Sequence, residues 1–336
     1  MGFKRLDTED FVVSADAVQS VAWSTNSPTL TEFYTSPVQA AGSSGNYYLS
    51  VFQTSSTDDT AAVQFDIAYG NVYGSGSTPF NSGLPKYSPS STTYGQYRSL
   101  ILEDENAVFT FGDGTNTLVS DDFWVLSVER ARYKESLFPG TFNLNLSSSA
   151  GLIQLTDNSN DVLTQTFLGS NRVLQIVSGS NGSAYNTTGY VAGSGSYGLF
   201  LPDIGTILLN PAAISQSINV DTNKTESLAN GTNQETLFTA IKSGSAFTLN
   251  AQETITSDYV FVRSRNAEFN YSTNPSFITG STGEVIYTEF INSPQVYVTT
   301  VGMYNDANEL VAVAKLSKPL LKDFTKESLI RVKLDF

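Results

Sequence analysis

The chain contains neither cysteine nor histidine. Without thiols there is no disulfide framework, so the fold must be held by burial alone. Without thiolate or imidazole the common zinc ligand sets are excluded within the chain, as are a Ser-His-Asp triad and a cysteine nucleophile. Charge is scarce: Asp, Glu, Lys and Arg make up 15% of the residues, well under the usual quarter. No Lys or Arg occurs between Leu6 and Pro85. No apolar run approaches the roughly eighteen residues that a membrane span needs. The opening Met1-Gly2-Phe3-Lys4-Arg5 runs straight into Asp7, Glu9 and Asp10, which does not read as a secretory leader. Neither a membrane partner nor a cofactor is expected.

Asn, Ser, Thr and Gly fill the space left by charge, together with 17 Tyr and 21 Phe. That composition favours strands and turns over helices. The 336 residues carry a net charge of −14, so phosphate backbone is repelled and nucleic acid is not expected as a partner. The sign is uneven. Residues 315–336 hold six basic and three acidic side chains, a local +3. Lysines often guard strand edges. A basic end on an acidic chain is also a dock for an acidic neighbour, including another copy of the chain.

Hydrophobic spacing predicts a mainly β protein: two or three β-rich domains, an extended N-terminal arm, and one or two short helices. Residues 1–44 read as the arm, with Phe11, Trp23, Phe33 and Tyr34 scattered through a Pro-bearing, weakly periodic stretch. Such a segment cannot build its own core; it anchors to the first domain or gains order on a neighbouring subunit. The arm is expected to be separable from the folded remainder. Residues 45–149 form a first β-rich domain, where Val63, Phe65, Ile67 and Tyr69 alternate with Gln64, Asp66 and Ala68. Between its strands, Gly70 to Ser91 reads as a long Gly/Pro loop. Residues 150–250 form a second domain with a short helix near 233–243, where Thr232-Asn233-Gln234-Glu235 fits a capping box and Gly244 stops the helix. Asn210-Pro211-Ala212-Ala213 opens a second, shorter helix.

Residues 251–336 form the C-terminal β domain. Val296 to Tyr304 and Leu310 to Leu316 read as a hairpin around Asn305-Asp306-Ala307-Asn308, with Pro319 closing the second strand. In Ser328 to Phe336, Ile330, Val332, Leu334 and Phe336 alternate with Arg331, Lys333 and Asp335, which places apolar and charged sets on opposite faces.

Few motifs carry chemistry. Gly193-Ser194-Gly195-Ser196-Tyr197-Gly198 has the spacing of a dinucleotide loop, but Pro202 argues against the required helix, so it reads as a Gly/Ser loop. The acids of Asp58-Asp59, Glu103-Asp104-Glu105 and Asp121-Asp122 read as turn or surface groups. Neighbours on a strand face opposite ways, so no doublet forms a glycosidase pair. A carboxylate-based depolymerase would need two acids from distant strands.

Several stretches carry a resemblance: Arg263-Ser264-Arg265-Asn266-Ala267-Glu268-Phe269-Asn270-Tyr271, the hairpin sequence from Val298 to Leu316, and the ending Ile330-Arg331-Val332-Lys333-Leu334-Asp335-Phe336. Tyr94-Gly95-Gln96-Tyr97-Arg98 and Ala131-Arg132-Tyr133-Lys134-Glu135-Ser136 add to it. Together they resemble virion proteins of contractile-tailed phages, especially those infecting cyanobacteria, most fully over residues 254–336. The resemblance implies a structural protein of the tail or baseplate (or neck), not an enzyme, assembled in the host cytoplasm and resident in the virion. Its implied partners are copies of itself, other tail or baseplate proteins, and a fibre protein. The expected assembly residues are Phe11, Trp23, Phe33, Tyr34, Lys315, Lys318, Lys322, Arg331, Lys333 and Phe336. The alternative function is that of a fibre-attachment or host-glycan-binding protein.

Overall fold

The computed structural model describes residues 3–35, 48–80, 84, 87–112, 117–186, 189–191, 193–225 and 232–335. It divides into two compact units. Unit 1 comprises Met1–Ala17 and Thr254–Phe336, and unit 2 comprises Val18–Glu253. The protein is mainly β, with four short helices.

The strands of the first half are β1 (Phe11–Val21), β2 (Thr29–Leu30), β3 (Tyr34–Thr35), β4 (Leu49–Phe52), β5 (Val63–Asn71), β6 (Phe109–Gly112), β7 (Thr117–Ser120), β8 (Asp122–Val128) and β9 (Ser136–Leu137). Next come β10 (Asn143–Ser148), β11 (Gly151–Asp157), β12 (Thr166–Leu168), β13 (Asn171–Ser180), β14 (Ser183–Ala184), β15 (Gly198–Leu201) and β16 (Thr206–Leu209). The last are β17 (Phe247–Thr248), β18 (Asn250–Ser264), β19 (Val296–Tyr304), β20 (Leu310–Lys322) and β21 (Ser328–Asp335). The helices are α1 (Pro89–Ile101), α2 (Pro211–Ile218), α3 (Thr232–Gly244) and α4 (Thr288–Asn292).

Unit 2 is built on a thirteen-stranded sheet that runs β2-β17-β10-β11-β13-β15-β16-β8-β5-β4-β3, with β12 and β14 attached to β13. Its two end strands, β2 and β3, are separated in sequence only by Thr31 to Phe33. Four residue steps reach about 14 Å at most, so the sheet has to curl until its ends approach each other.

Period-two alternation then decides which side chains go inside. On β5, Phe65, Ile67 and Tyr69 enter the larger core, while Ala68 joins a second core on the outer face. On β8 the split is Trp124, Leu126 and Val128 against Phe123 and Val125. On β15 Phe200 goes in, and Leu199 and Leu201 go out. The inner core holds an edge-packed aromatic group: Trp23, Phe65 and Phe142 each lie within 6 Å of Phe247 by ring centroid, and Phe142 stacks on Phe200. The Trp23 indole N–H donates to the Phe247 carbonyl at 2.9 Å, so the ring is buried with its polar atom satisfied.

Helices cover what the sheet leaves open. In α3, Leu237, Ala240 and Ile241 lie in the inner core. The helix runs to Gly244, a position that only glycine fits, because an added Cβ would lie 2.1 Å from the Asn145 carbonyl oxygen. The left-handed turn after it is made by Ser245, at φ 56°. Helix α1 covers the outer core. Ser88 caps it, Pro89 occupies its first turn, and Tyr94 stacks on Phe123 at 5.1 Å. This helix begins where the sequence predicts a loop and was not among the predicted helices. The second predicted helix is α2, capped by Asn210.

β18 lies between β1 and β21 in a four-stranded sheet, antiparallel to β21 and, at its start, to β9, and β19 pairs with β20 in a separate hairpin. The predicted hairpin turn is present. Pro319 does not close β20, which continues to Lys322. The register instead jumps between Val298↔Leu320 and Thr300↔Lys315, and Pro319 falls within that irregularity, where its missing N–H costs no ladder bond. Along β21, Val332 is buried, Ile330 and Leu334 are half-buried, and Arg331, Lys333 and Asp335 are exposed. The expected alternation is therefore present up to Asp335. Phe336 lies outside the described residues.

Two expectations are corrected. The boundary predicted at residues 149 and 150 falls in the turn between β10 and β11, which pair from Asn143↔Thr156 to Ser148↔Gly151, so both sides belong to one sheet. A separate N-terminal arm is not seen among the described residues of 1–44. Phe3 meets Tyr304 at 5.0 Å and Lys4 pairs with Glu268 at 2.9 Å, both within unit 1. Trp23, Leu30 and Phe33 belong to the inner core of unit 2.

Deleting residues 1–35 therefore removes three large core side chains, at roughly 2–5 kcal/mol each, from a fold whose whole stability is about 5–15 kcal/mol. The truncated chain is expected to lose its cooperative thermal transition by circular dichroism. Retention of a native-like transition would show that these side chains do not support the core.

Candidate assembly surface

The residues expected to form one interface separate on inspection. Trp23 and Phe33 are each 2% exposed inside unit 2 and present no surface. Their aromatic character marks core. Tyr34 is exposed at the end of the curled sheet, 5.9 Å from the Lys242 ammonium. The remaining described residues, Phe11, Lys315, Lys318, Lys322, Arg331 and Lys333, lie in unit 1.

Lys322 also presents no surface. It is wholly buried, and its ammonium donates to the Asn266 carbonyl, the Asn270 side-chain oxygen and the Asp323 carbonyl at 3.1, 2.7 and 3.0 Å. Three acceptors match the three protons of the ammonium, so this lysine staples residues 266–270 to the end of β20. A buried cation is tolerated only with such saturation.

The other basic residues face solvent. Lys315 and Lys318 are exposed on β20. Arg331 stands 5.4 Å from the Tyr259 ring on the neighbouring strand. Lys333 pairs with Asp335 at 2.8 Å, and that bond holds the lysine above its ordinary pKa and the carboxylate below its own. Arg263 and Glu327 form a similar exposed pair at 2.9 Å. Pairs in open solvent stabilise a fold little; they fix where charge is displayed.

Apolar side chains on these strands are exposed to an unusual degree. Val311 and Val313 share one face of β20 and are 69% and 58% exposed. Tyr297 on β19 is 66% exposed and Leu329 on β21 is 64% exposed. On β1, Phe11, Val12 and Val13 are all exposed, and this eleven-residue strand is an edge of its sheet. A long apolar edge is a template for strand addition. Among the described residues of unit 1, the buried apolar side chains are Val260, Pro294 and Val332. The sequence did carry this signal: Val311 and Val313 face outward opposite Gly302 and its neighbours, yet alternation alone does not say which face finds cover.

Elsewhere the candidate chemistry resolves into structure. Gly193 and Gly195 occupy left-handed turns and β15 follows them, so the loop reading of that glycine motif stands. Asp122 departs from its surface reading: it is buried, accepts from the Tyr69 hydroxyl at 2.8 Å and pairs with Lys224 at 2.8 Å. Among the described residues no group of three potential metal ligands converges, and no helix is long and apolar enough to cross a membrane. No protein-family model, curated protein or solved structure matches the chain.

Replacing Lys322 with Ala leaves the Asn270 side-chain oxygen without its donor, while the Asn266 and Asp323 carbonyls keep bonds from the Asn270 side-chain amide and the Lys326 N–H; the cost is about 1–3 kcal/mol. Hydrogen exchange is expected to rise in residues 264–271 and to stay unchanged in the α3 region. Equal loss of protection in both regions would contradict a staple confined to unit 1.

Proposed function

We propose that this protein is a structural subunit of a contractile-tailed phage virion, in the tail or baseplate, that works through contacts with copies of itself and neighbouring virion proteins. The placement in a virion rests on the sequence resemblance described above. The assembly role rests on one observation: a unit of about a hundred residues in which, among those described, three apolar side chains (Val260, Pro294 and Val332) are buried and Val, Leu, Tyr and Phe side chains on several strands face solvent. Domains of that size ordinarily bury well over half of the surface their chains expose, and large uncovered apolar patches mark interaction sites. Unit 1 then completes its core only in company. The mechanism needs no reactive side chain and no cofactor.

Charge supports contact between copies. Unit 2 holds eight basic and nineteen acidic residues, a net of −11, whereas residues 315–336 are net +3. Opposite fields on one chain favour association of the basic strands of one copy with the acidic unit of another, and orient the encounter.

Val311→Asp combined with Val313→Asp is the direct test, because both side chains are exposed and their loss removes no intramolecular core. The intact chain is expected to self-associate in sedimentation velocity at micromolar concentration, and the double variant to sediment as a monomer with an unchanged melting transition. A wild-type chain that stays monomeric and is absent from cross-linked intact particles would overturn the reading.

A further inference from the structure

A second surface, independent of the assembly reading, lies on the outer face of unit 2. Three strands place a polar row side by side: Ser50 on β4 is opposite Asp66 on β5, and Asp66 is opposite Ser127 on β8. Along the same face the next pair is Ala68 and Val125, apolar members of the outer core. The row thus sits where the outer core ends. Helix α1 crosses above it and supplies Thr93, Gln96 and Tyr97, and Tyr48 stands at the rim with 52% exposure. Together these residues enclose a cleft of about 170 Å³.

The chemistry of the lining is selective. It contains no Lys or Arg, so it offers nothing to an anion. It offers hydroxyls, an amide and a carboxyl, groups that between them both donate and accept. Oδ1 of Asp66 is shielded from solvent and has no hydrogen-bond partner. A buried acceptor left in that condition is unfavourable, which marks the Asp66 carboxyl at the floor of the cleft as incompletely satisfied. Burial pushes the Asp66 carboxyl above its ordinary pKa, the Ser50 hydroxyl opposes this, and the charge of Glu129 adds to it. The Tyr48 and Tyr97 rings provide flat amphipathic surfaces beside the polar row. Tyr97 is itself fixed, with its ring edge-on to Phe123 at 6.2 Å and its hydroxyl bonded to Ser127.

We infer that the cleft between the Ser50–Asp66–Ser127 row and helix α1 binds a neutral saccharide, with the sugar hydroxyls at Asp66, Gln96 and Thr93 and a ring face against Tyr48. Small pockets with few convergent polar groups bind weakly, so the expected affinity is millimolar.

The test uses the full chain and soluble maltotriose, cellotriose and N-acetylchitotriose, read by saturation-transfer NMR and titration. At least one trisaccharide is expected to bind, with transfer from tyrosine protons. Tyr48→Ala, Gln96→Ala and Asp66→Asn are each expected to weaken it by about fivefold or more. Tyr48 and Gln96 are exposed, so their variants are expected to keep the wild-type melting temperature and report on binding alone. Absence of binding by all three sugars overturns the assignment. So does binding that survives both Tyr48→Ala and Gln96→Ala, or a preference for choline or sialyllactose over the neutral sugars.

Discussion

A strand satisfies its backbone in the ladder, but each of its faces must still find cover, and a two-layer fold gives cover to only one side of a sheet. Unit 2 meets that constraint on both faces. Its sheet curls around an aromatic interior, and α1 with the β6–β7 hairpin covers part of the outside, so adjacent residues such as Trp124 and Val125 are both buried on opposite faces. Unit 1 meets it almost nowhere. Its strands pair in ladders, β19 and β20 with two register shifts, yet among its described residues Val260, Pro294 and Val332 are the buried apolar side chains. The proposed assembly role follows from that contrast.

The contrast also separates two kinds of aromatic residue that look alike in sequence. Trp23 and Phe33 sit in a polar, Pro-bearing segment with little periodicity, the composition of an arm. Both belong to the inner core, and Trp23 packs there on Phe247, more than two hundred residues later. Phe11, a dozen residues earlier, lies on an edge strand and stays exposed. Nothing local distinguishes them; the difference is supplied by long-range pairing of β2 with β17.

Strand positions and the C-terminal hairpin were legible because period-two spacing is a local property: the inward set of Phe65, Ile67 and Tyr69 and the alternation of β21 could be read directly. Helix α3 was legible from its cap and apolar stripe. Helix α1 was not. Its Ser, Thr and Gly content is poor for helices, and the packing of Tyr94 against Phe123 and Phe109 overrides that. Its Ser88-Pro89 start was a signal of the right kind, hidden by the Gly/Pro-rich run before it. The cleft beside Asp66 was half legible. The polar face of β5 was evident, whereas its neighbours on β4, β8 and α1 come from three other parts of the chain. Domain limits failed at residues 149 and 150 because a short turn between two strands of one sheet looks, in composition, like a linker.

The meeting of the two sheet ends has a consequence for synthesis on the ribosome. β2 finds its partner only when residues 247 and 248 have emerged, so unit 2 cannot close before three quarters of the chain is made. Pairings of such sequence separation form late. The exposed strands β19, β20 and β21 leave the ribosome later still. Most of the exposed apolar surface of unit 1, apart from that of β1, is thus translated last, which shortens the interval in which those strands of nascent chains can aggregate with one another.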